Sequence, residues 1–192
     1  MATIAVKDTA VAPYDSSIRQ SKKVGETLTT FITSGTSILN QKTGEDYFDF
    51  LYDESGNLYG FSLNGTIYYY FRNGQGDIIG IMTSGGVVVV RYAYDAWGKL
   101  LSISGSMAIS VGEKNPFRYR GYYYDNETGL YYLNSRYYDP VTGRFINADG
   151  LVSTGQGLLG YNMYAYCMSK QANRQLTMFY TIVKTGLRYR HI

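Results

Sequence analysis

Polar and apolar side chains alternate from Glu26 onward. Residues 26–33 (ETLTTFIT) are rich in β-branched positions and carry the period of a half-buried strand. Ser34-Gly35-Thr36 interrupts that run, and Ser37-Ile38-Leu39 begins another. Residues 46–52 (DYFDFLY) place Phe48, Phe50 and Tyr52 on one face and Tyr47, Asp49 and Leu51 on the other. The longest purely aliphatic run, residues 87–90, is strand length. In residues 115–150, tyrosine clusters flank Asp-to-Gly corners and predict a strand, a turn, a strand, a turn and a strand. The pattern predicts an all-β fold: an antiparallel β-hairpin repeat strip with at most one or two short helices near the C-terminus, one of them within residues 158–168.

One turn phrase recurs. Tyr52-Asp53-Glu54-Ser55-Gly56-Asn57-Leu58 is echoed by Tyr94-Asp95-Ala96-Trp97-Gly98-Lys99-Leu100, with a degenerate copy at Arg72-Asn73-Gly74-Gln75-Gly76-Asp77-Ile78. Two further copies, from Asp125 to Gly129 and from Asp139 to Gly143, carry one extra residue before the glycine. Asp53, Asn73 and Asp95 stand about twenty residues apart, the length of a unit of two strands and two turns whose faces need neighbours to be buried. An Asp or Asn side chain accepts backbone N–H groups just downstream, and glycine supplies a positive φ that other residues resist. The phrase therefore makes Asp53, Gly56, Asn73, Gly76, Asp95, Gly98, Asp125, Gly129, Asp139 and Gly143 turn residues rather than catalysts. The tyrosine before each acid lays its ring on the next hairpin and keeps its hydroxyl for a partner or water.

Composition narrows the classes. The chain has 192 residues with 22 Tyr, 22 Gly and only 3 Pro, which suits many short strands. Net charge is +3, yet no acid follows Asp149, and Lys170, Arg174, Lys184, Arg188 and Arg190 make the end basic. A solvated basic end is expected there, and nucleic acid is not expected as a partner. Cys167 stands alone, so it forms no intrachain disulfide and is expected to be an inert thiol. With His191 as the one histidine, no metal site is expected. The N-terminus lacks the basic start and apolar run of a secretion signal, and no segment is long and apolar enough to span a membrane. The letters G-x-G-x-x-G at residues 155–160 lack the acid and the strand-to-helix setting that a dinucleotide site needs.

The phrases, followed by NPFRYRG at residues 115–121 and GLYYLNSRYYDP at residues 129–140, resemble the rearrangement hotspot (Rhs) family. The likeness is closest to its repeat-associated core, which is grouped with the teneurin-like YD shell, and covers roughly residues 46–167. It implies a β-strip that spirals into a hollow shell, enclosing a C-terminal toxin domain in bacterial members and serving adhesion in eukaryotic ones. In the family the core is an aspartyl autoprotease. The first motif of that chemistry would fall at Asn147-Ala148-Asp149-Gly150-Leu151, where no proline follows Asp149. Leu176 stands where the second carboxylate is expected. A carboxylate pair sharing one proton is needed, so Asp149 remains a degenerate candidate and self-cleavage is not expected.

The expected division is a loose N-terminal lead-in (1–25), YD-type hairpin repeats (26–112), the repeat-associated core (113–167) and a divergent basic tail (168–192). The expected function is a structural shell segment beside a C-terminal toxin tip, in a bacterial polymorphic toxin or surface protein that is secreted or displayed at the cell surface. Five phrases are too few to close a shell, so the expected partners are further YD repeats of the same or a neighbouring chain. A toxin tip or a cell-surface glycan or protein would come next, and no small-molecule cofactor is expected. The alternatives are an enzyme, either the autoprotease core or a nuclease-type tip, and a carbohydrate adhesion module in which Trp97 is a sugar platform rather than a packing residue.

Overall fold

In the computed structural model, residues 19–146 are described, and they are almost entirely antiparallel β. Nine strands follow one another in a single sheet, each bonded to its sequence neighbours: β1 (Ser21–Val24), β2 (Thr27–Ser34), β3 (Ser37–Thr43), β4 (Asp46–Tyr52), β5 (Leu58–Leu63), β6 (Thr66–Arg72), β7 (Ile78–Thr83), β8 (Val88–Tyr94) and β9 (Leu100–Ser104). We call this sheet the wall. The strip begins one strand earlier than the alternation from Glu26 predicts. Ser21–Val24 pairs with Thr27–Thr30 around a tight turn at Gly25, so the strip takes in part of the expected lead-in.

The wall's inner face is aromatic. Phe31, Phe48, Phe50, Phe61, Tyr68, Tyr70 and Tyr92 are buried with Ile78, Ile81 and Val90 between them. As the alternation in residues 46–52 requires, Phe48 and Phe50 are buried and Tyr47 is exposed. Three register shifts recur at one place in the repeat: between Leu51 and Tyr52, between Phe71 and Arg72, and between Ala93 and Tyr94. Each leaves one extra residue on the following strand just after the turn phrase (Tyr59, Ile79 or Leu101), which is the signature of a β-bulge.

After β9 the chain makes a single π-helical turn, Ala108–Gly112, and a 3-10 turn, Tyr119–Gly121. It then forms a second, four-stranded sheet, the core sheet: β10 (Tyr123–Asp125), β11 (Leu130–Leu133), β12 (Arg136–Asp139) and β13 (Arg144–Phe145). The three-strand reading of this stretch is thus corrected to four. The run from Leu130 to Asp139 is not one strand but a hairpin, turned at Asn134-Ser135 with Asn134 at φ +57°. Asparagine tolerates this left-handed backbone, so a two-residue reversal fits between two aromatic pairs. The helix expected within residues 158–168 lies outside the described residues.

The core sheet lies on the wall's aromatic face. Phe117 meets Phe50 edge-on at 4.8 Å, and Tyr123 meets Phe31 edge-on at 5.6 Å. Edge-to-face rings at such spacings add about 0.5–1.5 kcal/mol each beyond the area they bury. Tyr119, Tyr131, Tyr138 and Phe145 form a second buried cluster beside Tyr94.

Candidate functional site

The first three turn phrases sit along one long edge of the wall, between β4 and β5, β6 and β7, and β8 and β9. In the first three, the Asp or Asn carbonyl accepts the glycine N–H three residues on: Gly56 to Asp53, Gly76 to Asn73 and Gly98 to Asp95. The side chain accepts two more N–H groups. Asp53 Oδ1 takes Ser55 and Asn57 at 2.9 and 2.8 Å, Asn73 Oδ1 takes Gln75 and Asp77 at 2.9 and 3.0 Å, and Asp95 Oδ1 takes Trp97 and Lys99 at 2.9 Å each. Bonding to Asn57 holds the exposed Asp53 carboxyl below the usual range. Asp139 makes a longer turn, with Gly143 N–H on its carbonyl and Val141 N–H on Oδ1 at 2.8 Å. Gly56, Gly76, Gly98, Gly129 and Gly143 all hold φ between +68° and +87°.

Asp125 departs from this scheme. Its carbonyl accepts Gly129 N–H at 2.8 Å, but its buried carboxylate faces the wall's first strand. Arg19 grips it with both terminal nitrogens, at 2.7 and 3.0 Å, and Lys22 Nζ reaches it at 2.8 Å and Glu127 at 2.7 Å. The Arg19 guanidinium also lies 4.5 Å from the Tyr132 ring centroid. This four-charge clasp joins the first strand of the wall to the first hairpin of the core sheet. Nothing in the sequence pattern signals it, because Arg19 and Lys22 stand in a stretch without periodicity.

The side chain before each of the first three phrases is a lock, which corrects the expectation of a tyrosine hydroxyl kept for a partner or water. Tyr52 Oη donates to Ile38 O at 2.8 Å, Arg72 Nη2 to Leu58 O at 2.7 Å and Tyr94 Oη to Ile78 O at 2.8 Å. Each reaches the carbonyl at the start of the strand before its own, so consecutive repeats are tied at the same point. The core sheet extends the pattern onto the third phrase. Tyr119, Tyr138 and Tyr131 donate to three successive carbonyls, Ala96, Trp97 and Gly98, at 3.3, 2.8 and 2.8 Å. Trp97 packs over the β12–β13 turn, where a Cβ on Gly143 would come within 3.1 Å of its ring, and this favours the packing reading of Trp97 over a sugar platform.

Asn115 is the hub that sequence reasoning passed over. Fully buried, it accepts Tyr70 Oη at 2.7 Å and donates to Phe117 O at 2.6 Å and Tyr92 Oη at 3.2 Å. Arg118, equally buried, donates to Asn115 O and Glu113 O and lies 4.6 Å over the Tyr124 ring. The two flank Pro116-Phe117 in a stretch without periodicity, which carries no sign that they are interior. Among the described residues no group of three His, Cys, Asp or Glu is placed to hold a metal, and no helix is long and apolar enough to cross a membrane. Asp149, Cys167 and His191 lie outside the described residues.

Comparison with known proteins agrees with this geometry. The sequence model of the Teneurin YD-shell matches residues 32–168. The tRNA3(Ser)-specific nuclease WapA of Bacillus spizizenii is 41% identical over 117 residues, covering 61% of this chain and 5% of that protein. The double-stranded DNA deaminase toxin A of Burkholderia cenocepacia is 40% identical over 73 residues, covering 38% of this chain and 5% of that protein. The crystal structure of TcdB2-TccC3-Cdc42 superposes with a TM-score of 0.62 at 18% identity, over 81% of this chain and 8% of that one, a likeness of fold. The chain thus spans a small fraction of the length of the curated relatives it matches.

Proposed function

Because the chain belongs to the Teneurin YD-shell family, we propose that it is a length of shell wall whose core sheet finishes the strip beside a toxin tip, and that it catalyses no reaction. The observation that carries the reading is the docking of Tyr119, Tyr131 and Tyr138 onto the carbonyls of the third phrase. It spends the tyrosine hydroxyls on architecture. The ten turn residues act as corners, and the division into repeats up to residue 112, core to residue 167 and basic tail beyond follows the same logic. The relatives named as toxins and nucleases support placing such a tip next to the wall, in a protein that is secreted or held at the cell surface.

Among the described residues, β1 and β9 each have one strand neighbour, so each offers an unpaired backbone edge. Such edges accept another strand by backbone pairing, which suits further repeats of the same or a neighbouring chain. Intact-mass measurement of the purified chain, incubated from acid to neutral pH, tests the non-catalytic reading. A single full-length species is expected. A fragment cut beside Asp149 or Leu176, abolished by Asp149→Asn, would replace that reading with autoproteolysis.

A further inference from the structure

Two clefts of ≈ 620 Å³ each flank the loop that carries the chain from the wall to the core sheet, and they differ in charge. The one on the side away from the first three turn phrases is lined by Lys22 and Lys114 but also by Asp46, Glu113 and Glu127. The one along the phrase edge is lined by Arg72 and Arg120, with Tyr52, Asn57, Tyr122 and Asn134 around them, and by no carboxylate. Its size lies inside the usual range of about 300–1,000 Å³ for small-ligand sites.

Arg72 is the informative residue. The position before the turn phrase is tyrosine in the other four copies (Tyr52, Tyr94, Tyr124 and Tyr138) and arginine only here. The lock onto the preceding strand needs a single donor, and Tyr52 and Tyr94 supply it with a hydroxyl. Arginine brings five N–H donors and a permanent charge. Two of those donors go to Leu58 O and Gly76 O, and among the described residues Arg72 forms no ion pair. Burial disfavours its charged form and pulls its pKa below the ordinary value, so a counter-charge at its side is stabilising.

The surroundings are shaped for it. A Cβ on Gly121 would come within 3.0 Å of Arg72 Nη1, so the glycine makes the room that the guanidinium occupies. Arg120 is held at φ +56°, a backbone that costs a non-glycine residue about 1–2 kcal/mol. Its N–H donates to Asp77 Oδ1 at 3.1 Å, its Nε lies 3.4 Å from the same oxygen, and Nη1 donates to Gln75 O. This turn and its contacts hold a second guanidinium at the rim of the same cleft.

We propose that this cleft binds a small multi-oxygen anion, a phosphate ester or a polycarboxylate, with Arg72 as the principal contact. The planar guanidinium fork matches two anionic oxygens, and the Asn134 amide lines the same cleft. The site is additional to the wall role, because a wall segment without it would dock its core sheet equally well.

The test is isothermal titration of the 192-residue chain with pyrophosphate and, separately, with citrate. Saturable one-to-one binding of at least one probe is expected. Arg72→Tyr restores the residue found in the other copies, keeps a hydroxyl for the lock and should weaken binding at least about tenfold. Arg91→Gln removes an exposed charge between the buried Val90 and Tyr92 and should leave binding unchanged. Pyrophosphate binding alone assigns a phosphoryl ligand, and citrate binding alone a polycarboxylate. The proposal is overturned if neither probe saturates at millimolar concentration, if Arg72→Tyr binds like the wild type, or if Arg91→Gln weakens binding equally. Should Arg72→Tyr not fold, Arg72→Lys keeps the charge without the fork, and wild-type affinity in that variant would equally refute the assigned contact.

Discussion

Gly56 and Gly98 occupy the same place in two copies of one turn, at φ +80° and +87°, yet alanine should not cost the same at both. A Cβ on Gly56 meets nothing within 4 Å, whereas a Cβ on Gly98 would lie 2.4 Å from Cδ1 of the buried Tyr119 ring. Both variants incur the left-handed backbone penalty of about 1–2 kcal/mol. Only Gly98→Ala must also push a packed aromatic ring aside, an overpacking cost of about 1–3 kcal/mol. Gly98→Ala should therefore lose about 2–5 kcal/mol in total. At roughly 2–4 °C per kcal/mol for a chain of this size, Gly56→Ala should melt a few degrees low, and Gly98→Ala on the order of 10 °C low. Urea unfolding followed by far-UV circular dichroism gives both differences directly. In a Tyr119→Ala background the ring is gone, and Gly98→Ala should then cost no more than Gly56→Ala does. Equal losses in the two single variants, or an excess that survives Tyr119→Ala, would refute the docking of the core sheet on the third phrase.

Two other perturbations probe different layers. Asp125→Asn leaves Arg19 and Lys22 beside a neutral group in a buried clasp, which should destabilise by about 3–5 kcal/mol. Hydrogen exchange should quicken first in β10, β11 and β1, and unchanged protection there would contradict the clasp. At alkaline pH, burial pushes the Tyr92 hydroxyl up to about 12 and raises those of Tyr70, Tyr94, Tyr123 and Tyr131 as well. The fold favours the neutral phenols, so their contribution is complete below the unfolded value near 10 and is lost as pH rises from there. Absorbance near 295 nm should report these phenols ionising together with unfolding, and their titration in a folded chain near pH 10 would count against the burial.

Most of the wall was legible because its rules are local. Alternation set the faces of residues 46–52, and the phrase set the corners at Asp53, Asn73 and Asp95. What escaped detection is long-range. Asp125 looks like another corner until Arg19, more than a hundred residues away, arrives to claim its carboxylate. The lead-in hid β1 because a lysine-rich edge strand has no alternation to see, only partners. Asn134 hid a hairpin because two tyrosine pairs on either side read as a single strand when the left-handed tolerance of asparagine is overlooked. The destination of the tyrosine hydroxyls was invisible for the same reason, since carbonyls are not written in the sequence.

The bulges after the first three turn phrases have a geometric corollary. A kink placed once per repeat, always on the same side and at the same height, adds up as steps do on a spiral stair. Curvature then belongs to the repeat itself and requires no neighbour to impose it. Excising a whole repeat would shorten the stair and leave its pitch alone, while removing only the extra residue Tyr59, Ile79 or Leu101 would flatten one tread and turn every later one away from the axis.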